Sequence, residues 1–106
     1  MNENYADIIN QGKTNFNVLL NKTIYSIEKC NEGIYEYFPY IIKSVSPYGS
    51  VHMDVWNIYA EDDYCKVYKS FYELGKTFTF SKEEADKICK ELNKKRIKEY
   101  EKKYNN

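Results

Sequence analysis

Three thiols and one imidazole are the side chains of this sequence best suited to hold a metal ion. They are Cys30, His52, Cys65 and Cys89, and the 106 residues contain no other cysteine or histidine. Together they would form the Cys3His set that zinc binds in tetrahedral sites. Their spacings of 22, 13 and 24 residues lack the Cys-x-x-Cys pairs of common zinc sites. A zinc site is therefore one hypothesis, and buried cysteines acting as small apolar residues are the other.

Nucleophilic catalysis would need a thiol beside a base, and the only such combination is Cys30 or Cys65 with His52. No catalytic signature surrounds these residues. The carboxylate pair Asp62-Asp63 lies in a predicted loop, and Glu83-Glu84 lies at a predicted helix start. No glycine-rich phosphate-binding motif occurs. The sequence therefore predicts a protein that is not an enzyme.

Tyrosine and acidic residues crowd the middle of the chain. The sequence contains 12 tyrosines, and residues 32–63 carry six acidic residues against Lys43 alone, a net charge of −5. Tyrosine gives a large contact area for little loss of rotamer entropy, which suits a protein-binding surface. The alternative is strand propensity together with a solvated acidic loop. The candidate binding residues are Tyr35, Glu36, Tyr37, Asp54, Trp56, Glu61, Asp62 and Asp63.

The fold that would hold these residues is predicted from a strand-to-helix junction at Ser81. Phe78 and Phe80 alternate with threonines, which is typical of a strand with one buried face. Ser81 and Glu84 have the spacing of a capping box, and an amphipathic pattern follows. The pattern predicts a strand that ends at Phe80 and a helix over residues 81–104.

Four more strands precede this junction. β-branched and aromatic residues separated by turn residues predict strands at 23–30, 34–45, 51–60 and 64–73, and the last strand covers 76–80. Pro39 removes one donor from the second strand. The prediction is an α+β fold: an antiparallel meander of about five strands with a long C-terminal helix packed on it, the other face of the sheet being left for recognition. Residues 1–21 form an N-terminal segment with a short helix at 4–11, and Phe16 to Leu20 are expected to pack on the core.

Composition limits the class of protein. A chain of 106 residues with zero formal charge predicts a single domain without a global field for nucleic acid or membranes. No apolar run reaches the length of a membrane span, and the first residues lack the pattern of a signal peptide. An odd number of widely spaced cysteines favours reduced thiols and a cytoplasmic location. Residues 81–106 carry a net charge of +3, which favours a solvated helix or, alternatively, nucleic-acid binding.

The run from Gly75 to Lys87, GKTFTFSKEEADK, resembles the ending of many small phage and prophage proteins of low-GC bacteria, whose pattern is G-K-T-V-F-L-T-K-E-E-A-E-K. Thr23–Ile27, followed by Cys30 and Gly33 to Glu36, is similar to their opening strand and turn. The resemblance covers residues 22–93, carries no catalytic residue, and departs from the pattern at Ser81 and in the long tail. It implies an accessory protein that inhibits a host defence complex, most specifically an anti-CRISPR protein that blocks nucleic-acid loading by a CRISPR effector nuclease. The alternative is a zinc-stabilised structural or regulatory domain that binds nucleic acid through its basic C-terminal helix.

Overall fold

The structure is a computed structural model that describes residues 4–11, 16–46 and 57–104. Helix α1 (Tyr5–Asn10) begins at Asn4, whose Oδ1 atom accepts hydrogen bonds from two backbone N–H groups of the first turn. Five strands and a long C-terminal helix follow. They are β1 (Thr23–Lys29), β2 (Tyr35–Val45), β3 (Ile58–Glu61), β4 (Lys66–Lys69), β5 (Phe78–Thr79) and α2 (Lys82–Tyr104).

The five strands form one antiparallel curled sheet in the order β4-β3-β2-β1-β5. The first four strands follow the predicted meander. The fifth departs from it, because β5 pairs with β1 at the opposite edge instead of with β4. The predicted start of the third strand at residue 51 lies outside the described residues.

The segment between β4 and β5 explains this departure. The predicted strand 64–73 was too long, because Ser70 and Glu73 form a complete capping box that begins a 3-10 turn at Phe71–Glu73. Gly75, with a φ of +82°, then reverses the chain. The Thr77 carbonyl reaches β1, where it accepts a hydrogen bond from the Ile27 N–H at 2.8 Å. Local hydrogen bonds thus end β4 early and carry the chain across the sheet.

Other parts of the chain pack on both faces of the sheet, and helix α2 covers its face only over β1 and the start of β2. Alternation along β1 and β2 places Tyr25, Ile27, Tyr35 and Tyr37 on the face that packs against α2, here called the helix face. The opposite face, here called the inner face, packs against α1 and the 3-10 turn Phe16–Leu19, and the sequence predicts this packing for residues 16–20. The fully buried side chains of the inner face include Ile24, Ile42, Ile58 and Phe78. The expectation that this second face is free for recognition was therefore wrong.

Helix α2 begins where the sequence predicts. The Glu84 N–H donates to the Ser81 hydroxyl oxygen at 3.3 Å, and the Ser81 hydroxyl donates to the Glu83 carboxylate at 3.0 Å. The helix then packs on the sheet through Ala85, Ile88, Cys89 and Leu92. No helix within the described ranges is long and apolar enough to cross a membrane.

A candidate protein-binding edge of the sheet

The carboxamide of Asn93 lies against the first residue of β2. The Tyr35 N–H donates to Asn93 Oδ1 at 2.8 Å, and Asn93 Nδ2 donates to the Tyr35 carbonyl at 3.0 Å. A side-chain amide therefore takes the place that a neighbouring strand would otherwise fill. One turn later, Arg96 Nη1 donates to the Glu32 carbonyl at 3.4 Å. The helix consequently contacts the sheet region one turn beyond Leu92, further than the sequence indicated.

The backbone of Tyr37 faces the same side of β2 as that of Tyr35. Tyr37 lies opposite Ile27 of β1, whose N–H is directed to β5 through the Thr77 carbonyl. Opposed residues in an antiparallel pair either bond to each other or both point away. The Tyr37 N–H and C=O therefore point away from β1. Strand β3 pairs with β2 only from Ile41 onward, so no strand of the described ranges lies beside Tyr37.

Pro39 continues this edge and limits it. By the same alternation its ring nitrogen faces the open side, away from β1. The absence of an N–H at Pro39 therefore removes no hydrogen bond from the β1–β2 ladder. The β2 strand is continuous through Pro39, and its irregularity falls between Ile42 and Ser44 instead. The open edge is thus blocked at Tyr35 by Asn93 and weakened at Pro39. One complete donor and acceptor pair, that of Tyr37, lies between them.

A cavity of about 360 Å³ lies at this edge. Tyr35 and Tyr37 of the helix face line it together with Glu36 and Phe38 of the inner face. Only a cavity at the edge of a strand can touch both of its faces, which agrees with the backbone geometry. Helix α2 forms the other wall through Asp86, Cys89, Lys90 and Asn93.

The turn between β3 and β4 carries three consecutive acidic residues. Asp62 Oδ1 accepts hydrogen bonds from the backbone N–H groups of Cys65 at 2.6 Å and Tyr64 at 2.7 Å, and these bonds lower the pKa of Asp62. The Glu61 carboxylate accepts the Tyr59 hydroxyl hydrogen at 2.5 Å. Asp62 and Asp63 are exposed. The turn therefore exposes two acidic side chains to solvent, and two backbone hydrogen bonds hold the Asp62 carboxylate in place.

Exposed aromatic side chains surround this turn. Tyr64 is 93% exposed and Tyr68 is 48% exposed. The rings of Tyr59 and Tyr68 stand 5.2 Å apart across the strand pair on the helix face, beyond the part that α2 covers. Ile41, opposite Glu61, adds an exposed aliphatic side chain. Protein-binding surfaces are enriched in aromatic residues and have a polar rim, so the exposed tyrosines suit the centre of such a surface and the acidic residues suit its rim.

The structure brings most of the predicted binding residues to one side of β2. Glu61 lies opposite Ile41, four residues along β2 from Tyr37, which corresponds to about 13 Å at ~3.3 Å per residue. Tyr35 and Tyr37 supply the backbone edge, while their rings are half-buried under α2 and not open for binding. Glu36 is exposed between them. We call Glu36, Tyr37, Glu61, Asp62 and Asp63 the acidic edge. Asp54 and Trp56 lie outside the described residues.

The cysteines do not gather at one place in the described ranges. Cys89 lies on the buried side of α2. Burial raises the pKa of its thiol, and the nearby Asp86, Cys30 and Glu36 act in the same direction. Burial and the Glu36 carboxylate also raise the pKa of Cys30. Cys65 is exposed at the acidic turn, near Tyr40 on the inner face. No group of three or more His, Cys, Asp or Glu side chains in residues 4–11, 16–46 and 57–104 is placed to hold a metal ion. His52 lies outside these ranges, so the four-residue zinc set stays a prediction.

An inner-face cavity of about 480 Å³ was not predicted from the sequence. Glu28 accepts the Tyr40 hydroxyl hydrogen at 2.8 Å on one side of it. Lys69 lies on the other side, and its buried ammonium group donates to the carbonyl and hydroxyl oxygens of Thr77, both at 3.2 Å. The Ser26 hydroxyl is fully buried at the floor without a hydrogen-bond partner in the described part. A lysine within a strand does not by itself indicate that its ammonium group is buried beside a cavity.

The end of α2 extends past the sheet. Ile97 is 50% exposed and Tyr100 is 61% exposed, in contrast to the buried Cys89 two turns earlier. Basic side chains are exposed around them: Lys94, Lys95, Lys98, Lys102 and Lys103. The lysines of the predicted basic tail are therefore accessible, whereas Arg96 contacts the Glu32 carbonyl.

Comparisons with known proteins add no relative to this description. No protein-family model, no curated protein and no solved structure matches the chain.

Proposed function

We propose that this protein is a non-enzymatic inhibitor that binds another protein through the acidic edge. The observation that carries the proposal is that no strand of the described residues pairs with the Tyr37 backbone, while the exposed acidic turn at Asp62 and Asp63 lies further along the same edge. The backbone offers directional hydrogen bonds, and the turn offers charge that attracts a basic surface over a distance. Tyr64 and Tyr68 supply apolar contact area beside the charges.

The proposed partner is the basic nucleic-acid channel of a CRISPR effector nuclease. Such a channel attracts phosphate groups through Lys and Arg side chains, so an exposed acidic turn competes for it by charge and by steric exclusion. The similarity of Gly75–Lys87 to phage accessory proteins supports this choice of partner. In this mechanism the inhibitor blocks loading of the guide or the target and performs no chemistry itself.

The test is complex formation with purified CRISPR effector nucleases, with and without bound guide RNA. The protein is expected to co-elute with a guide-free effector and to compete with guide loading. The triple variant Glu61→Gln, Asp62→Asn, Asp63→Asn removes the charge, while asparagine at position 62 keeps an oxygen to hold the turn. We expect this variant to bind at least about tenfold more weakly at low salt, because it lacks the negative charges that attract a basic surface. Low salt is used because charges are screened over about 10 Å at 0.1 M salt.

A matched control neutralises three exposed carboxylates elsewhere. The variant Glu91→Gln, Glu99→Gln, Glu101→Gln changes the net charge equally at exposed positions of helix α2 that do not line the edge cavity. It should bind as the unchanged protein does. Equal loss in both triple variants would reduce the effect to net charge, and absence of any complex with every effector tested would remove the proposal.

The exposed end of α2 supports the second candidate, binding of nucleic acid through the basic helix. Its lysines and the half-exposed Tyr100 combine phosphate contacts with a ring on which a base can stack. Fluorescence anisotropy with single- and double-stranded oligonucleotides tests it, using Lys98→Glu, Lys102→Glu, Lys103→Glu as the variant. Binding that the variant leaves unchanged would contradict this candidate.

Zinc stabilisation belongs to the second candidate and has its own test. The predicted ligands are Cys30, His52, Cys65 and Cys89, of which Cys65 stands apart from the other two cysteines. A zinc-stabilised protein should purify with about one equivalent of zinc and lose thermal stability with a chelator. Purification without zinc, with full thermal stability, would remove this part of the alternative.

A further inference from the structure

We infer that the edge of β2 at Tyr37 accepts an extended, basic segment of the partner as an added strand. This inference rests on the proposed protein-binding function and specifies its mode. Strand addition uses main-chain hydrogen bonds for affinity and alternate side chains for specificity.

The backbone geometry provides the hydrogen bonds. The Tyr37 N–H and C=O and the Pro39 carbonyl oxygen point to the open side of β2. Both backbone groups of Tyr35 point to the same side, but the Asn93 carboxamide already bonds to them. An added strand in line with β3 would therefore receive one donor and two acceptors without any change in the fold. Asn93 limits the strand at one end, and the turn after Glu61 limits it at the other. The site is short and defined at both ends, unlike an open edge that aggregates.

The surrounding charges select the occupant. Glu36 lies in the edge cavity, and Asp62 and Asp63 lie beyond Pro39 in the direction of β3. In the wall of the cavity Lys90 already pairs with Asp86 at 2.8 Å. The uncompensated charge along the edge is negative. An extended segment with Lys or Arg on one face fits this field better than an acidic segment does.

A second copy of this chain fits less well, because its own β2 edge carries the same acidic charge. Pairing of two such edges would place Glu36 of each copy close to the acidic residues of the other. Like charges across a strand pair are destabilising. A basic segment of another protein is therefore the occupant that we propose.

The experiment uses the full chain and a capped peptide of alternating lysine and valine as the probe. Amide hydrogen exchange by NMR should show slower exchange at the Tyr37 N–H when the peptide is bound, because this amide gains a hydrogen bond. Two control peptides are matched in length. One alternates glutamate and valine, and the other is the lysine peptide with N-methyl groups on the edge that would pair; neither should protect Tyr37.

Two variants at one position isolate the backbone hydrogen bond. Tyr37→Ala and Tyr37→Pro both lose the ring that packs against Tyr25, but only the proline variant loses the N–H. Because that N–H makes no ladder bond to β1, both variants should keep the sheet, which the amide spectrum of β1 and β2 verifies. We expect the proline variant to bind the lysine peptide at least about fivefold more weakly than the alanine variant.

Each other outcome has a fixed meaning. Peptide binding that leaves Tyr37 exchange unchanged, or equal affinity of both variants, would overturn strand addition but leave binding by the acidic turn standing. No binding of the lysine peptide would also overturn it, as would a dimer of the free protein with Tyr37 already protected. Protection of Tyr37 in a protein that binds no effector would support strand addition and remove the proposed partner.

Discussion

The carboxamide of Asn93 bonds to both backbone groups of Tyr35, 58 residues earlier in the chain, with distances of 2.8 and 3.0 Å. The carboxamide makes the two hydrogen bonds that one residue of a neighbouring strand would make. By this contact helix α2 both anchors the start of β2 and closes part of an exposed sheet edge. Among the strands of residues 16–46 and 57–104, none pairs with the backbone of Tyr37, which lies on the same edge as the acidic turn.

Asn93→Ala should lower the free energy of unfolding by about 1–3 kcal/mol, because two partly buried backbone groups lose their partners. It should also speed hydrogen exchange at the Tyr35 amide. Urea unfolding and amide exchange measure these effects. Lys94→Ala, at the next and exposed helix position, is the control and should be close to neutral. An Asn93 variant as stable as the control would mean that water replaces the carboxamide without cost.

Ser81→Ala should cost about 0.5–2 kcal/mol of stability, since the Glu84 N–H loses the hydroxyl oxygen that accepts its hydrogen bond. Ser81→Thr keeps the hydroxyl and should retain most of the stability. Thermal unfolding followed by circular dichroism compares the two. If alanine and threonine were equally tolerated, the packing of Ala85 and Cys89 alone would fix the start of the helix.

Lys69 should give the stability of the protein a distinctive pH dependence. Burial lowers the pKa of Lys69 below its ordinary value of 10.5, with Glu73 and Glu28 acting in the opposite direction. The folded state then releases this proton at lower pH than the unfolded chain does. The cost of the buried charge is therefore fully present below the folded-state pKa and declines as the pH rises from there towards 10.5.

The measurement is urea unfolding of the unchanged protein and of Lys69→Met at about pH 7 and about pH 10. Relative to the methionine variant, the unchanged protein should gain stability at the higher pH. Lys66→Met, exposed on the same strand, corrects for removing one lysine charge from β4. A difference that stays constant or reverses with pH would show that the buried ammonium is better compensated than its surroundings indicate.

The cysteines should differ in their reactivity with a maleimide reagent. Cys65 is exposed and should react first. Cys30 and Cys89 should react more slowly, at rates that increase with pH, because burial raises the pKa of each thiol and the thiolate is the nucleophile. Mass spectrometry of digested protein locates the label, and Cys65→Ser reveals the two slower sites. Labelling of Cys89 as fast as Cys65 in the folded protein would contradict its placement beneath α2.

Several features of the fold could be predicted because they depend on neighbours in the sequence. Alternation and the Ser81 cap define the junction of β5 with α2, and helical periodicity selects Ala85, Cys89 and Leu92 as the packed stripe. The capping box of Ser70 and Glu73 also depends only on residues close together in the sequence. Residues that favour strands lie on both sides of it, so the pattern there predicts a continuous strand. The signal of the capping box, a serine three positions before a glutamate, was present in the sequence.

The candidate site depended on relationships that no local pattern reveals. The sequence points to the side chains of Tyr35 and Tyr37, whereas the structure partly buries both rings. Asn93 bonds to the backbone of Tyr35, and only the backbone of Tyr37 faces the open side. Asn93 gave no signal, because an asparagine in a helix contacts a strand only when the packing angle brings the two together. The depth at which Lys69 lies likewise depends on how far the sheet curls.

The α+β class, the ends of α2 and the acidic character of the β3–β4 turn could be predicted, since they follow from periodicity, capping and composition. Three features appear only in the assembled sheet: β5 joins β1, the N-terminal segment packs on the inner face, and no strand of the described ranges pairs with the backbone of Tyr37. The physical reason is that these outcomes depend on competition for strand edges and apolar faces between segments far apart in the chain. Only the assembled sheet shows which segment occupies each place.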